Sequence, residues 1–183
     1  MKNVSIWSDI KQDKICKKLE EDIITDVLII GGGLTGISTA YHLIDSNLKI
    51  TLVEKNEVGQ GVTNKTTGKL TYLQENVYSK LNSYHNQDVA KEYLNSQIDA
   101  IEIVKDIIAK HNIECDFEKT KSFIFTHSQK EKIEKEIEIS KQLNIPLKET
   151  NKLPNGKNVL KAYYVEDTYV FHPIKYLYSL KKI

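Results

Sequence analysis

Arginine is absent. All 26 basic residues of this 183-residue chain are lysine, so no planar guanidinium fork exists to clamp a carboxylate, a phosphate or a guanine edge. No excess of one charge sign exists either. Twenty-six basic and 25 acidic residues give a formal net charge of +1, which lacks the basic footprint of a nucleic-acid partner. Cysteine is scarce: Cys16 and Cys115 stand far apart, with no Cys-x-x-Cys or Cys/His pairing. That excludes a metal site built from local thiol motifs and suits a reducing compartment. No apolar run approaches the ~20 residues of a bilayer span. The opening segment MKNVSIWSDIKQDKICKKLEED has no continuous apolar stretch of a signal peptide, so the cytoplasm is the expected location. With 40% hydrophobic and 28% charged residues, the chain reads as globular, with length for one ordinary domain.

Three segments follow from composition and periodicity: an arm over 1–23, a βαβ unit with a loop over 24–87, and helical and strand segments over 88–183. Ile24 to Ile30 is a short, continuously apolar, β-branched run, the pattern of a strand buried on both faces. After Gly31-Gly32-Gly33, residues Leu34, Ile37, Tyr41 and Ile44 recur at helical spacing. Leu48 to Val53 reads as a second buried strand, closing a βαβ unit of about 30 residues. Glu54 to Lys69 has no apolar period and reads as a loop. A helix is expected from about Asp88 to His111 on Leu94, Ile98, Ile101, Val104 and Ile108. A strand follows over Phe117–Thr126. A lysine- and glutamate-rich helix over Gln129–Leu143, ended by Pro146, reads as a solvated face with Ile133 and Ile137 inward. Asn155-Gly156 marks a turn before a strand or hairpin over Val159–Val170, and Phe171-His172-Pro173 opens a last helix. His172 is expected to help begin that helix. His42, His85, His111 and His127 lack metal-ligand spacing, and Tyr163, Tyr164, Tyr176 and Tyr178 read as packing. Trp7 is expected to pin the arm to the body.

Gly31-Gly32-Gly33-Leu34-Thr35-Gly36 matches G-x-G-x-x-G. The motif alone is weak, but it stands between a buried strand and a helix, and the next strand ends in an acid, Glu54. Each residue then has a role. Gly31 permits the tight turn. Gly33 lets a pyrophosphate approach the backbone N–H groups at the helix start, and Gly36 lets the helix pack on the sheet. Glu54 would accept hydrogen bonds from ribose hydroxyls and repel a 2′-phosphate, so NADP is the least favoured dinucleotide. Gly61 and Gly68 permit close backbone approach to a second part of the ligand. Thr63, Thr66 and Thr67 offer hydroxyls there, and Lys65 and Lys69 offer charge.

VLIIGGGLTGISTAYHL, the strand ending in VEKN, and GQGVTNKTTGKL together resemble the N-terminal part of FAD-dependent oxidoreductases of the glycine/D-amino acid oxidase (DAO) superfamily. The likeness is to γ-glutamylputrescine oxidase-like enzymes, nearest the bacterial subgroup that often carries a C-terminal Rieske domain. The resemblance implies an α/β fold: an incomplete Rossmann-type FAD-binding domain with part of an inserted α+β substrate domain. It implies FAD as cofactor, with Gly31, Gly33, Leu34, Thr35, Gly36, Glu54 and Lys55 around the ADP half and Gly61 and Thr63 by the pyrophosphate. Thr67, Gly68 and Lys69 would lie near the flavin, where Lys69 could stabilise negative charge on the reduced ring. Relatives often have arginine where Lys65 stands, and lysine keeps only the charge. The implied activity is oxidation of the C–N bond of a small-molecule amine or amino acid, with O₂ or an electron carrier as acceptor. No catalytic base and no metal ligand is assigned. The chain reads as the N-terminal part of a larger enzyme, inactive alone and prone to self-association through exposed strand edges. Two alternatives stay open: an NAD-dependent dehydrogenase, and a dinucleotide- or partner-binding module without catalysis.

Overall fold

The computed structural model describes residues 4–10 and 17–183, and these divide into two compact units interleaved along the chain. One unit takes residues up to Gly68, Asn112–Phe117 and Phe171–Ile183; the other takes Lys69–His111 and Glu118–Val170. The segments expected from composition, 1–23, 24–87 and 88–183, cut the chain at other points. Cys16 lies outside the described residues.

The first unit is built on strand β1 (Val27–Ile30), helix α1 (Leu34–His42) and strand β2 (Ile50–Val53). The strands pair in parallel, Val27 opposite Ile50 and Ile30 opposite Val53, so the expected βαβ unit is present. The expectation that its strands are buried on both faces fails. Ile29 is buried, while Leu28 is 53% and Ile30 81% exposed. Successive strand side chains point to opposite faces. Helix α1 covers the Ile29 face, and no described element covers the other. The helix also stops at His42, so Ile44 leaves the expected stripe and is half exposed. The segment expected as plain loop contains a short 3₁₀ turn, Val62–Lys65. The last helix of the chain, Pro173–Lys182, packs on α1 in this unit.

The second unit is an antiparallel sheet with helices against it. Its elements are β3 (Lys69–Leu70), α2 (Val77–Tyr84), α3 (Gln87–Lys110), β4 (Glu118–Thr126), α4 (Lys130–Gln142), β5 (Lys148–Lys152) and β6 (Asn158–Val170). The helix Pro173–Lys182 is thus α5. Thirteen-residue β6 organises the sheet, pairing with β3, β4 and β5. Leu94, Ile101, Ile133, Ile137, Tyr163 and Val165 meet in its core. Three elements were not expected from the sequence, β3, α2 and β5. Strand β5, KETNK, has almost no apolar content; its place comes from the hairpin with β6, where Glu149 faces Tyr163. Both long helices of this unit end at asparagine: Asn112 has φ 48° and Asn144 has φ 60°. Asparagine tolerates this left-handed conformation better than most residues. It is Asn144, two residues before Pro146, that stops α4.

Helix α4 departs from the solvated helix its composition suggests. Ile133 and Ile137 are buried as expected, but so is Glu136, at 0% exposure. Its carboxylate accepts the backbone N–H groups of Tyr78 at 3.0 Å and Ser79 at 2.8 Å. These are the second and third residues of α2, the positions an N-cap side chain normally serves. Asn76, the N-cap of α2, makes no such bond. Glu136 therefore caps α2 from another helix.

Candidate dinucleotide site

At the end of β1 the backbone is fixed group by group. Gly31 N–H donates to Val53 O at 2.8 Å, extending the parallel pairing by one residue. Gly32 N–H donates to Glu54 Oε2 at 2.7 Å. Gly32 O in turn accepts from Gly59 N–H at 2.9 Å. Helix α1 then begins with Gly33 as an N-cap that has no side chain to offer and with no acid in its first turn. The first N–H groups of a helix have no intrahelical partner, and they and the helix dipole favour an anion.

Gly36 decides how closely α1 sits on β1. A Cβ there would lie 2.0 Å from Gly31 O and 3.3 Å from an Ile29 side-chain carbon. At Gly33 a Cβ would lie 3.1 Å from Thr63 Oγ1. That hydroxyl accepts Leu34 N–H at 3.1 Å, so Thr63 is held at the very start of α1. The sequence-expected residues Gly31, Gly33, Leu34, Gly36, Glu54 and Thr63 are brought together. Thr35 is exposed on the first turn of α1.

Glu54 has an arrangement the sequence did not suggest. Its Oε1 accepts Asn56 N–H at 2.9 Å while Oε2 holds Gly32 N–H. The backbone N–H groups of Asn56, Gly32 and Lys55 hold its carboxyl below the ordinary value of 4.5, slight desolvation acting the other way. Glu54 is therefore ionised at neutral pH. A carboxylate has about four acceptor directions, so two backbone bonds orient it and leave capacity for ribose hydroxyls. Lys55 beside it is exposed.

In the loop after β2 the glycine packed against the protein is one the sequence reading did not single out. Gly61 is exposed, and a Cβ there would meet nothing within 4 Å. The tight position is Gly59, at φ +83°, where a Cβ would lie 2.7 Å from Leu177 Cδ2. In Val-Gly-Gln-Gly the sequence offers two glycines, and only the packing of α5 shows which is constrained. At Gly68 the close approach is to the chain itself, a Cβ falling 2.7 Å from Phe171 O. Lys65 and Thr67 are exposed, and Thr66 is half-buried. Lys69 is exposed as the first residue of β3, opposite Val170. His172 begins α5 as expected, its Nδ1 accepting Lys175 N–H at 3.3 Å. Tyr163, Tyr176 and Tyr178 are buried as packing, and Tyr164 stacks on Phe123. Among the described residues no group of three or more His, Cys, Asp or Glu side chains is placed to hold a metal. No helix among them is long and apolar enough to cross a membrane.

The residues at the start of α1 fit a dinucleotide. The N-cap has no side chain, the first turn has no acid, and an oriented carboxylate stands at the neighbouring strand end. The comparisons agree. The Rieske 2Fe-2S iron-sulfur protein YhfW of Bacillus subtilis (strain 168) is 32% identical over 164 residues, covering 88% of this chain and 32% of that protein. The gamma-glutamylputrescine oxidoreductase of Escherichia coli (strain K12) is 27% identical over 99 residues, 54% of this chain and 23% of that enzyme. This chain thus spans about a third or less of the length of these two relatives. In fold it is similar to L-proline dehydrogenase from P. horikoshii, with a TM-score of 0.58 at 18% identity over 86% of this chain and 42% of that one. It is similarly close to glycine oxidase from Geobacillus kaustophilus, with a TM-score of 0.58 at 13% identity over 86% of this chain and 44% of that one. The profile of one family, DAO, FAD dependent oxidoreductase, matches residues 26–182. The chain belongs to the DAO family of FAD-dependent oxidoreductases.

Proposed function

We propose that residues 27–55 bind the ADP half of FAD, with Gly61 and Thr63 by the pyrophosphate and Thr67, Gly68 and Lys69 near the flavin, and that the protein uses FAD to oxidise the C–N bond of a small amine or amino acid. The observation that carries this reading is the approach of α1 to the β1 turn. It leaves 2.0 Å between Gly31 O and the place of a Cβ on Gly36, bringing the helix start to the strand end as a pyrophosphate requires. Gly33, Thr35 and Gly36 would bind the phosphates through backbone N–H groups beside Leu34, whose N–H the Thr63 hydroxyl holds, and Glu54 would orient the ribose. Lys65 and Lys69 would add charge, and Gly61 and Thr67 would line the cofactor loop with Gly68. When bound, FAD supplies acceptance of a hydride from the carbon beside the substrate nitrogen, leaving an imine for water to hydrolyse. The substrate class is supported by the relatives, among them a gamma-glutamylputrescine oxidoreductase, an L-proline dehydrogenase and a glycine oxidase. A cytoplasmic setting suits the free, buried thiol of Cys115.

The test is FAD titration of the full-length protein and its Glu54→Ala variant. The unsubstituted protein is expected to bind FAD and quench its fluorescence. Loss of the charge-assisted ribose bonds should weaken binding about tenfold, since each 1.4 kcal/mol is one decade. Equal affinity of the two would remove Glu54 from the site. Absence of FAD binding by the unsubstituted protein would end the reading.

Self-association belongs to the same proposal. Leu28 and Ile30 expose an apolar strand face, so these 183 residues expressed alone should sediment as concentration-dependent oligomers. Ile30→Lys should reduce that association. A monomer at every concentration would contradict it.

A further inference from the structure

Residues Val4 to Ile10 take no part in the strand–turn–helix motif, yet they hold the loop that completes it. Trp7 donates its indole N–H to Thr66 O at 2.8 Å. Its ring meets the His172 ring edge-on, with centroids 4.8 Å apart. The Gly68 backbone lies against the same indole: a Cβ there would fall 3.0 Å from its nearest carbon. Ser5 donates its hydroxyl to Asn64 O. Asn64 Nδ2 donates to Ser8 Oγ at 3.2 Å and to Gln60 Oε1 at 3.1 Å.

The turn at the centre of the loop is weakly closed. Its 3₁₀ turn closes through Thr66 N–H to Thr63 O at 3.5 Å, a long bond in a geometry that is weak to begin with. The surface behind the indole is firm by contrast. His172 N–H donates to Cys115 O at 2.7 Å, and its ring caps α5. The indole thus touches both the loop, at Thr66 and Gly68, and a fixed histidine. Thr63, inside that turn, is the residue that reaches Leu34 N–H at the start of α1.

We infer that Trp7 is a positioning residue for the FAD site: the arm is a strap that holds residues 62–68 in the conformation that places Thr63 at the start of α1. The inference rests on the FAD reading above. Its physical basis is preorganisation. Where only a fraction of molecules holds the competent loop, apparent affinity falls by that fraction. Removing the indole N–H but keeping a ring, as in Trp7→Phe, should weaken FAD binding about fivefold, the worth of one net hydrogen bond. Removing the ring as well, as in Trp7→Ala, should weaken it roughly thirtyfold, because buried aromatic area and the bond are lost together.

The experiment uses the full-length protein, its Trp7→Phe and Trp7→Ala variants, FAD titration, and amide hydrogen exchange of the cofactor-free forms. The expected result is a graded loss of affinity, with exchange accelerated in peptides covering 61–68 and at Leu34 N–H, which Thr63 holds, and unchanged in β1 and in α1 beyond its first turn. Equal FAD affinity in the three proteins overturns the inference. So does unchanged exchange over 61–68. If Trp7→Ala does not fold, Trp7→Phe decides by the same two readings. A failed strap leaves the unsubstituted protein binding FAD normally, whereas a failed site reading leaves no form of the protein binding it.

Discussion

Replacing Gly36 with alanine is expected to remove measurable FAD binding and to lower the melting temperature. Alanine is otherwise the favoured residue in a helix, better than glycine by about 1 kcal/mol. Here that gain loses to sterics. The new Cβ would stand 2.0 Å from Gly31 O, where non-bonded heavy atoms prefer roughly 3.5–4.0 Å. No rotamer relieves the overlap, because backbone geometry sets the Cβ position. Helix α1 must move off β1 by more than an ångström, at a net cost of about 2 kcal/mol by comparison with overpacked cores. The movement carries the first-turn N–H groups away from the strand end and breaks the contact between Leu34 N–H and Thr63. Affinity for FAD should fall about a hundredfold or more, taking nearly 3 kcal/mol of binding energy with it. Titration with FAD and a thermal melt of the same sample check both halves. Wild-type affinity in Gly36→Ala would show that the close approach is not part of the site.

The second large effect lies in the other unit. Glu136→Ala should destabilise the protein by about 3 kcal/mol, because two backbone donors at the start of α2 are left without their shared acceptor inside the core. Glu136→Gln keeps one acceptor oxygen but turns an NH₂ toward the other N–H, so it should fall between. The control is on the same helix: Glu134 is exposed, facing Lys130 at 3.5 Å, and Glu134→Ala should leave the unfolding midpoint where it was. Urea unfolding of the three variants decides the matter. Equal midpoints for Glu136→Ala and Glu134→Ala would mean that α2 does not depend on this cap.

Glu134 and Glu136 also mark where reading the sequence stops. Both stand in Lys-Glu-Lys-Ile-Glu-Lys-Glu-Ile, and their chemistry is the same. Periodicity places the Ile133–Ile137 stripe correctly, and Glu136 stands next to it at the edge of the helix. Whether that edge faces water or a helix start depends on α2, which has too little apolar pattern to be anticipated. The same applies to β5. Its KETNK sequence carries no strand signal, and its pairing comes from β6, whose long apolar alternation is legible.

In the cofactor region the division is just as physical. The strand, the glycine turn, the helix and the acid that ends β2 are local features within about 30 residues. Side-chain volume, β-branching and glycine placement dictate them with little help from the rest of the chain. Lysine at every basic position, and the near-zero net charge, likewise exclude whole classes of partner from composition alone. Long-range contacts decided the rest. Gly59 rather than Gly61 is the constrained glycine because Leu177 of α5 comes up against it. Thr63 meets Leu34 across 29 residues, and Trp7 meets Thr66 across 59. Both faces of β1 are apolar in sequence, yet only the face under α1 is buried. Composition determines which surfaces need covering, and the path of the chain determines which of them are covered.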